Sequence, residues 1–257
     1  MMDTISQDNI REYDITEILG IAWNIFRTKY HVLFSIGFLV YLPSNILVAT
    51  MPQINIEHLL GAGYFTRLGF SATMICSMLL AFGGNIAIAI AVNQIVFEQS
   101  ESVKKVLRQF LAKFLRDWHI NLLVIAVFFV AGMLWLTSIF LNAFLFLLVS
   151  VPAIILLNYW VFGIYSFAMR ELNLYESLKY SYVVVYGRWG RVFLYTVSLF
   201  LLSLVVVIFS AIPFSWIVGN VVLEVTYKTL VSILSSFFVV AFTVFFVNFE
   251  ETSIKKQ

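Results

Sequence analysis

Charged side chains are scarce in this sequence, at 12% of residues where a soluble domain carries about a quarter. With 61% of residues hydrophobic, a water-soluble fold has no way to hide its apolar surface. Five stretches contain no Asp, Glu, Lys or Arg at all: Leu33 to Ile56, Leu68 to Phe97, Ile120 to Met169, Val192 to Leu223 and Thr229 to Phe249. Charged groups at membrane depth are costly and mark ion and proton pathways, so their absence argues against coupled transport. Catalytic sets are missing too, since neither paired carboxylates in a span, an H-E-x-x-H helix nor a Ser/His/Asp set is visible. The chain is therefore expected not to be an enzyme.

Cysteine is nearly absent. Cys76 stands alone, which excludes a disulfide framework and a cysteine metal site. Three histidines remain: His31 and His119 at equivalent places beside Tyr30 and Trp118, and His58 beside Glu57. An interfacial histidine hydrogen-bonds lipid phosphate or a helix end more often than a metal, so no metal and no cofactor are expected. There is no glycine-rich phosphate loop, and the basic segments alternate with apolar faces, which suits anionic lipid rather than nucleic acid. The first residues carry Asp3, Asp8, Glu12, Asp14 and Glu17 where a signal peptide has basic residues, so the first span is expected to be a retained anchor.

What the sequence has in plenty is hydrocarbon. About 20 apolar residues cross a hydrocarbon core of roughly 30 Å, which makes four of the five runs single spans. The third run, as one helix, would reach roughly 75 Å, so it is expected to fold back as a hairpin. The turn is placed between Asn142 and Pro152, because proline is tolerated in the first turn of a new helix.

The expected fold is all-α and polytopic, with six transmembrane helices over 30–51, 68–97, 119–145, 150–170, 191–217 and 228–249. Three amphipathic interfacial helices over 14–28, 102–117 and 173–187 precede the three hairpins, a layout that reads as a threefold hairpin repeat. In the second of these helices Val103, Val106, Leu107, Phe110, Leu111, Phe114 and Leu115 form one face and Lys104, Lys105, Arg108, Gln109, Lys113 and Arg116 the other. The third is expected to turn Leu174, Tyr175, Leu178, Tyr182, Val185 and Tyr186 to one side.

With six spans, all of the 16 Lys and Arg except Arg67 and Lys228 share one side with both termini. Short loops that rich in basic residues are cytoplasmic, so the expectation is a plasma-membrane protein with both ends in the cytoplasm.

The third unit carries a resemblance. Leu147-Leu148-Val149-Ser150-Val151-Pro152, then Glu176-Ser177-Leu178-Lys179-Tyr180-Ser181 and Tyr186-Gly187-Arg188-Trp189-Gly190-Arg191-Val192-Phe193, resemble the bacterial glycerophosphoryl diester phosphodiesterase membrane-domain-like family. Members have six spans, a Pro-Gly turn before the fourth and an Ala-x-x-x-Ser segment followed by Gly-(Arg/Lys)-(Trp/Arg) before the fifth. Ser181 and Gly187 match, whereas Ser177 replaces the alanine and Ala153 the glycine. The resemblance implies the membrane part only, a partner module without the phosphodiesterase barrel.

Two groups of residues are candidates for function. Lys104, Lys105, Arg108, Lys113, Arg116, Arg188 and Arg191 are expected to meet anionic lipid or a partner. Gly83, Ala87 and Ala91 form a small-residue packing stripe, and Asn85, Asn93 and Asn158 are deep amides that either bond between helices or line a polar cavity. A scaffold or accessory module binding anionic membrane lipid, and a protein partner or a second copy of itself, is the first reading. An exporter or permease subunit for an amphiphilic solute or peptide is the second.

Overall fold

The computed structural model describes residues 12–50, 64–97, 102–141, 143–214 and 220–254. Among the described residues all regular structure is α-helical: α1 (Ile15–Thr28), α2 (Tyr30–Ala49), α3 (Tyr64–Val96), α4 (Val103–Arg116), α5 (Trp118–Leu141), α6 (Ala143–Trp160), α7 (Gly163–Met169), α8 (Leu174–Val185), α9 (Trp189–Phe214) and α10 (Val221–Ile254). Helices satisfy their own backbone hydrogen bonds, which hydrocarbon demands. Among the described residues five spans have the length and apolarity to cross a membrane: Tyr30–Ala49, Ala72–Val96, Phe146–Met169, Trp189–Ser210 and Val221–Ser253. A sixth is reached when the pair Val103–Arg116 and Trp118–Gly132, bent by 86°, is counted as one. The protein is an all-α, multi-pass membrane protein.

The order short amphipathic helix, long helix, long helix recurs three times. Lys29 separates α1 from α2, Asp117 separates α4 from α5, and Tyr186 to Arg188 separate α8 from α9. The bounds of α8 have a local cause. Asn173 and Glu176 close a reciprocal capping box at the start of α8, and Gly187 follows its end with φ 79°, a conformation that side chains with a Cβ avoid.

The fourth span differs from expectation. Pro152 lies inside α6 rather than in its first turn, and the helix starts at Ala143. α5 ends at Leu141, and Asn142, where the expected turn begins, lies outside the described residues. A proline inside a span is tolerable because neighbouring groups in the bundle can take up the freed carbonyl. The span is then interrupted at Val161 and Phe162, and α7 completes it. α10 is longer than the expected 228–249. Its 34 residues extend roughly 50 Å, beyond the hydrocarbon thickness, so polar residues near its ends have an environment other than lipid tails.

The chain divides into two compact units. One comprises Ile21–Val106 and Leu201–Ala241. Here α2 packs closely on α3 at Gly84, where a Cβ would stand 2.9 Å from Val40 Cγ1 and 3.2 Å from Tyr41 Cε1. Tyr41 Oη donates to Asn85 Oδ1 at 2.8 Å, Ser44 Oγ to the Ser77 carbonyl at 3.0 Å and Asn45 Nδ2 to Thr229 Oγ1 at 3.2 Å.

The other unit comprises Leu107–Phe200, Phe242–Gln257 and the chain as far as Gly20. Its core is aromatic: the Phe162 ring meets Phe245, Phe246 and Phe249 at centroid distances of 5.0, 5.4 and 6.2 Å. Buried Asn121 on α5 joins two short helices, donating to the Phe114 carbonyl at 2.9 Å and accepting from the Leu174 amide at 3.0 Å.

Candidate functional site

A dense polar arrangement lies around the junction of α8 and α9, in the second of the two units just described. Arg188 Nη1 donates to Glu12 Oε1 at 3.0 Å and to Thr252 Oγ1 at 2.9 Å. Its Nη2 donates to the Phe249 carbonyl at 2.9 Å and to the Val184 carbonyl at 3.4 Å, while the guanidinium lies 4.8 Å from the centre of the Phe249 ring. Arg191 closes on the other oxygen of the same carboxylate, Glu12 Oε2. Five donors in a planar fork make arginine the side chain suited to so many partners at once. The chain leading into α1 is also fixed by its backbone: Tyr13 N donates to Asn248 Oδ1 at 2.9 Å and Tyr195 Oη donates to the Tyr13 carbonyl at 3.0 Å.

A second ion pair lies near the same end of α10. Glu250, buried near the end of the helix, accepts from Arg170 Nε at 2.9 Å and from Tyr180 Oη at 2.6 Å. The Glu250 hydrogen bond raises the already high Arg170 value. Burial first, then the Glu250 contact, push the Tyr180 phenol up to about 12. A carboxylate so close makes a phenolate unfavourable.

Of the basic residues on α4, Lys113 turns inward and Arg116 pairs at the surface. Lys113 Nζ donates to the Ala168 and Arg170 carbonyls at 2.9 Å each and to the Phe167 carbonyl at 3.4 Å, which are the orphan acceptors at the end of α7. Glu171 stands 3.7 Å from Lys113 Nζ and 2.8 Å from Arg116 Nη1. Burial lowers the Lys113 value, with Glu171 opposing, whereas hydrogen bonding to Glu171 raises that of Arg116. Arg116 remains half exposed.

The break in the fourth span is closed by α8. Ser181 Oγ donates to the Tyr159 carbonyl at 2.7 Å and accepts from the Phe162 amide at 3.1 Å. Gly163 allows the approach, since a Cβ there would lie 2.7 Å from Leu178 Cδ2. α8 turns Leu174, Ser177, Ser181, Val184 and Val185 inward and leaves Tyr175, Tyr182 and Tyr186 exposed, so the expected aromatic face is the outer one. Small hydroxyl side chains let two helices approach more closely than tyrosines would.

Of the sequence candidates, Lys104, Lys105 and Arg108 are exposed on α4. Gly83, Ala87 and Ala91 are buried on α3, and Asn93 is half buried on the same helix. Asn85 pairs with Tyr41, while Asn158 belongs to the other unit, where its Nδ2 donates to the Trp189 carbonyl at 3.1 Å. His31 and His119 each make an edge contact with the preceding ring, at 5.4 Å from Tyr30 and 6.1 Å from Trp118.

Glu12, Asn121, Tyr180 and Glu250 escaped the sequence reading, because each acts through a partner distant in the chain. One signal was available: Thr229, Ser236, Thr243 and Glu250 recur along α10 at heptad spacing, and all four are buried. No family model, no curated protein and no solved structure matches this chain.

Proposed function

We propose that this protein is a non-enzymatic accessory or scaffold module of a bacterial plasma membrane, which holds anionic lipid at its cytoplasmic face and serves a protein partner. The observation that carries this reading is the 86° bend between α4 and α5. With α5 crossing the bilayer, α4 lies along its surface. Leu111 and Leu115, 53% and 61% exposed, share one side of the helix with Lys104 and Arg108, so the leucines reach the acyl boundary while the long basic side chains, Lys105 beside them, extend to the headgroups. Lys113, Arg116, Arg188 and Arg191 meet acidic side chains of the same chain, and the lipid reading is therefore placed on Lys104, Lys105 and Arg108 by their exposure on α4.

Each basic residue at an anionic leaflet contributes on the order of 1 kcal/mol, screened beyond the Debye length. Replacing Lys104, Lys105 and Arg108 together by Gln is expected to remove the enrichment of anionic lipid that co-purifies with the detergent-extracted protein. An unchanged lipid profile in a folded, inserted variant sinks the lipid reading of α4 and assigns that face to a soluble partner.

A further inference from the structure

We propose that Arg188 and Arg191 form an anion site for a phosphate group, which the carboxylate of Glu12 occupies as an internal surrogate. The two guanidiniums converge on the two oxygens of one carboxylate, Arg188 Nη1 on Oε1 at 3.0 Å and Arg191 Nη1 on Oε2. Two non-bridging oxygens of a phosphomonoester or phosphodiester present the same acceptors to the same pair of donors. The charges also leave room for an anion, since two cations here face one carboxylate.

The two arginines are held differently, and the difference matters. Arg188 keeps its place without Glu12, because the Thr252 hydroxyl, the Phe249 and Val184 carbonyls and the Phe249 ring all hold its guanidinium. Arg191 is 48% exposed, so a ligand has an approach to the site. Glu12 itself, 9% exposed, comes from the non-helical lead into α1. Beside its ion pairs, that lead is tied through the two backbone hydrogen bonds of Tyr13 to Asn248 and Tyr195, and Asp14 is joined to the first turns of α1 through Glu17 Oε2 and the Ile18 amide. A phosphate taking the two arginines therefore displaces Glu12 and loosens residues 12–14. Occupancy of the site and release of this strap are then one equilibrium, in which each state excludes the other.

The inference is independent of the basic face of α4, and the test separates the two. In the first arm the full-length Glu12→Gln protein is reconstituted in nanodiscs of phosphatidylglycerol or phosphatidylcholine, and the lipid that survives extraction is counted by native mass spectrometry. A several-fold gain in retained phosphatidylglycerol over the native chain is expected. Adding Arg191→Gln abolishes the gain, while adding Lys104→Gln, Lys105→Gln and Arg108→Gln leaves it.

In the second arm a nitroxide on Asp14→Cys, in a Cys76→Ser chain that keeps Glu12, reports the strap. Its mobility is expected to rise when the ligand is added. A rise with inorganic phosphate and phosphatidylglycerol alike makes free phosphate sufficient, and a rise with phosphatidylglycerol alone makes the ligand a lipid headgroup. Should Glu12→Gln not fold, the second arm decides alone. No mobility change with either anion, together with unchanged lipid retention in a folded Glu12→Gln protein, overturns the proposal and leaves Glu12 a structural counter-ion.

Discussion

Ser181 accepts the backbone amide of Phe162 at 3.1 Å while donating to the Tyr159 carbonyl at 2.7 Å, so one hydroxyl serves both sides of the break between α6 and α7. A span interrupted inside the bilayer must find partners for its freed backbone groups, and here α8 supplies them. Ser181→Ala is expected to lower stability by roughly 1 to 2 kcal/mol, as an amide and a carbonyl lose their shared partner. Thermal unfolding in detergent measures this, with Ser177→Ala as a comparison on the same buried face. Ser181 donating to Tyr159 is immaterial to the fold if the two variants unfold with the native protein.

Tyr180 makes stability fall at high pH. Below pH 10 the phenol is protonated in both folded and unfolded chains and the contribution is constant. Between the ordinary value of 10.0 and about 12 the unfolded chain ionises while the folded one does not. The folded state binds more protons in that window, so stability declines as pH rises through it. Tyr180→Phe should decline less steeply between pH 10 and 12 in chemical-denaturation series. Parallel slopes would show that burial and the Glu250 contact do not hold the phenol protonated.

Gly84 sets how near α2 comes to α3. A methyl there would stand 2.9 Å from Val40 Cγ1, on a β-branched side chain with little freedom to swing aside. Gly84→Ala is expected to cost about 1 to 3 kcal/mol, and Val40→Ala should cost less in the Gly84→Ala background than alone. Strictly additive losses in the double-mutant cycle would place the crowding elsewhere.

Topology follows from the uneven distribution of Lys and Arg. Reporter fusions after Gly61 and Asn220 should read outside, and fusions after Gln109 and Gln257 should read cytoplasm. A cytoplasmic reading at Asn220 combined with an external one at Gln109 would invert the protein and move α4 to the other leaflet.

Helix identity was legible in the sequence because it is a local property. Runs of apolar residues longer than a bilayer requires, and the change of period over 102–117, mark long apolar helices and a short amphipathic one wherever tertiary contacts fall, although α6 and α10 both begin seven residues before the expected 150 and 228. The junctions at Lys29 and Asp117 could be read for the same reason, as basic and aromatic residues gather at each change of period. Pro152 misled, since its lost hydrogen bond looks decisive in a sequence and is tolerated within a bundle.

Hydropathy places a basic residue near a boundary without saying which way it points. Lys113 and Arg108 are indistinguishable by composition, yet Lys113 caps the end of α7 and Arg108 stays exposed. The partners of Arg188 include Glu12 and Thr252, 176 and 64 positions away, and Glu250 meets Arg170 across 80. Such pairs arise only when packed helices bring distant charges into one low-dielectric place, where an unpartnered charge is costly and a matched one is tolerated. The sequence therefore determined an all-helical, multi-pass membrane protein, because apolar run length is local, and only the tertiary structure decided which basic residues meet acids of the same chain, because those partners are distant in sequence.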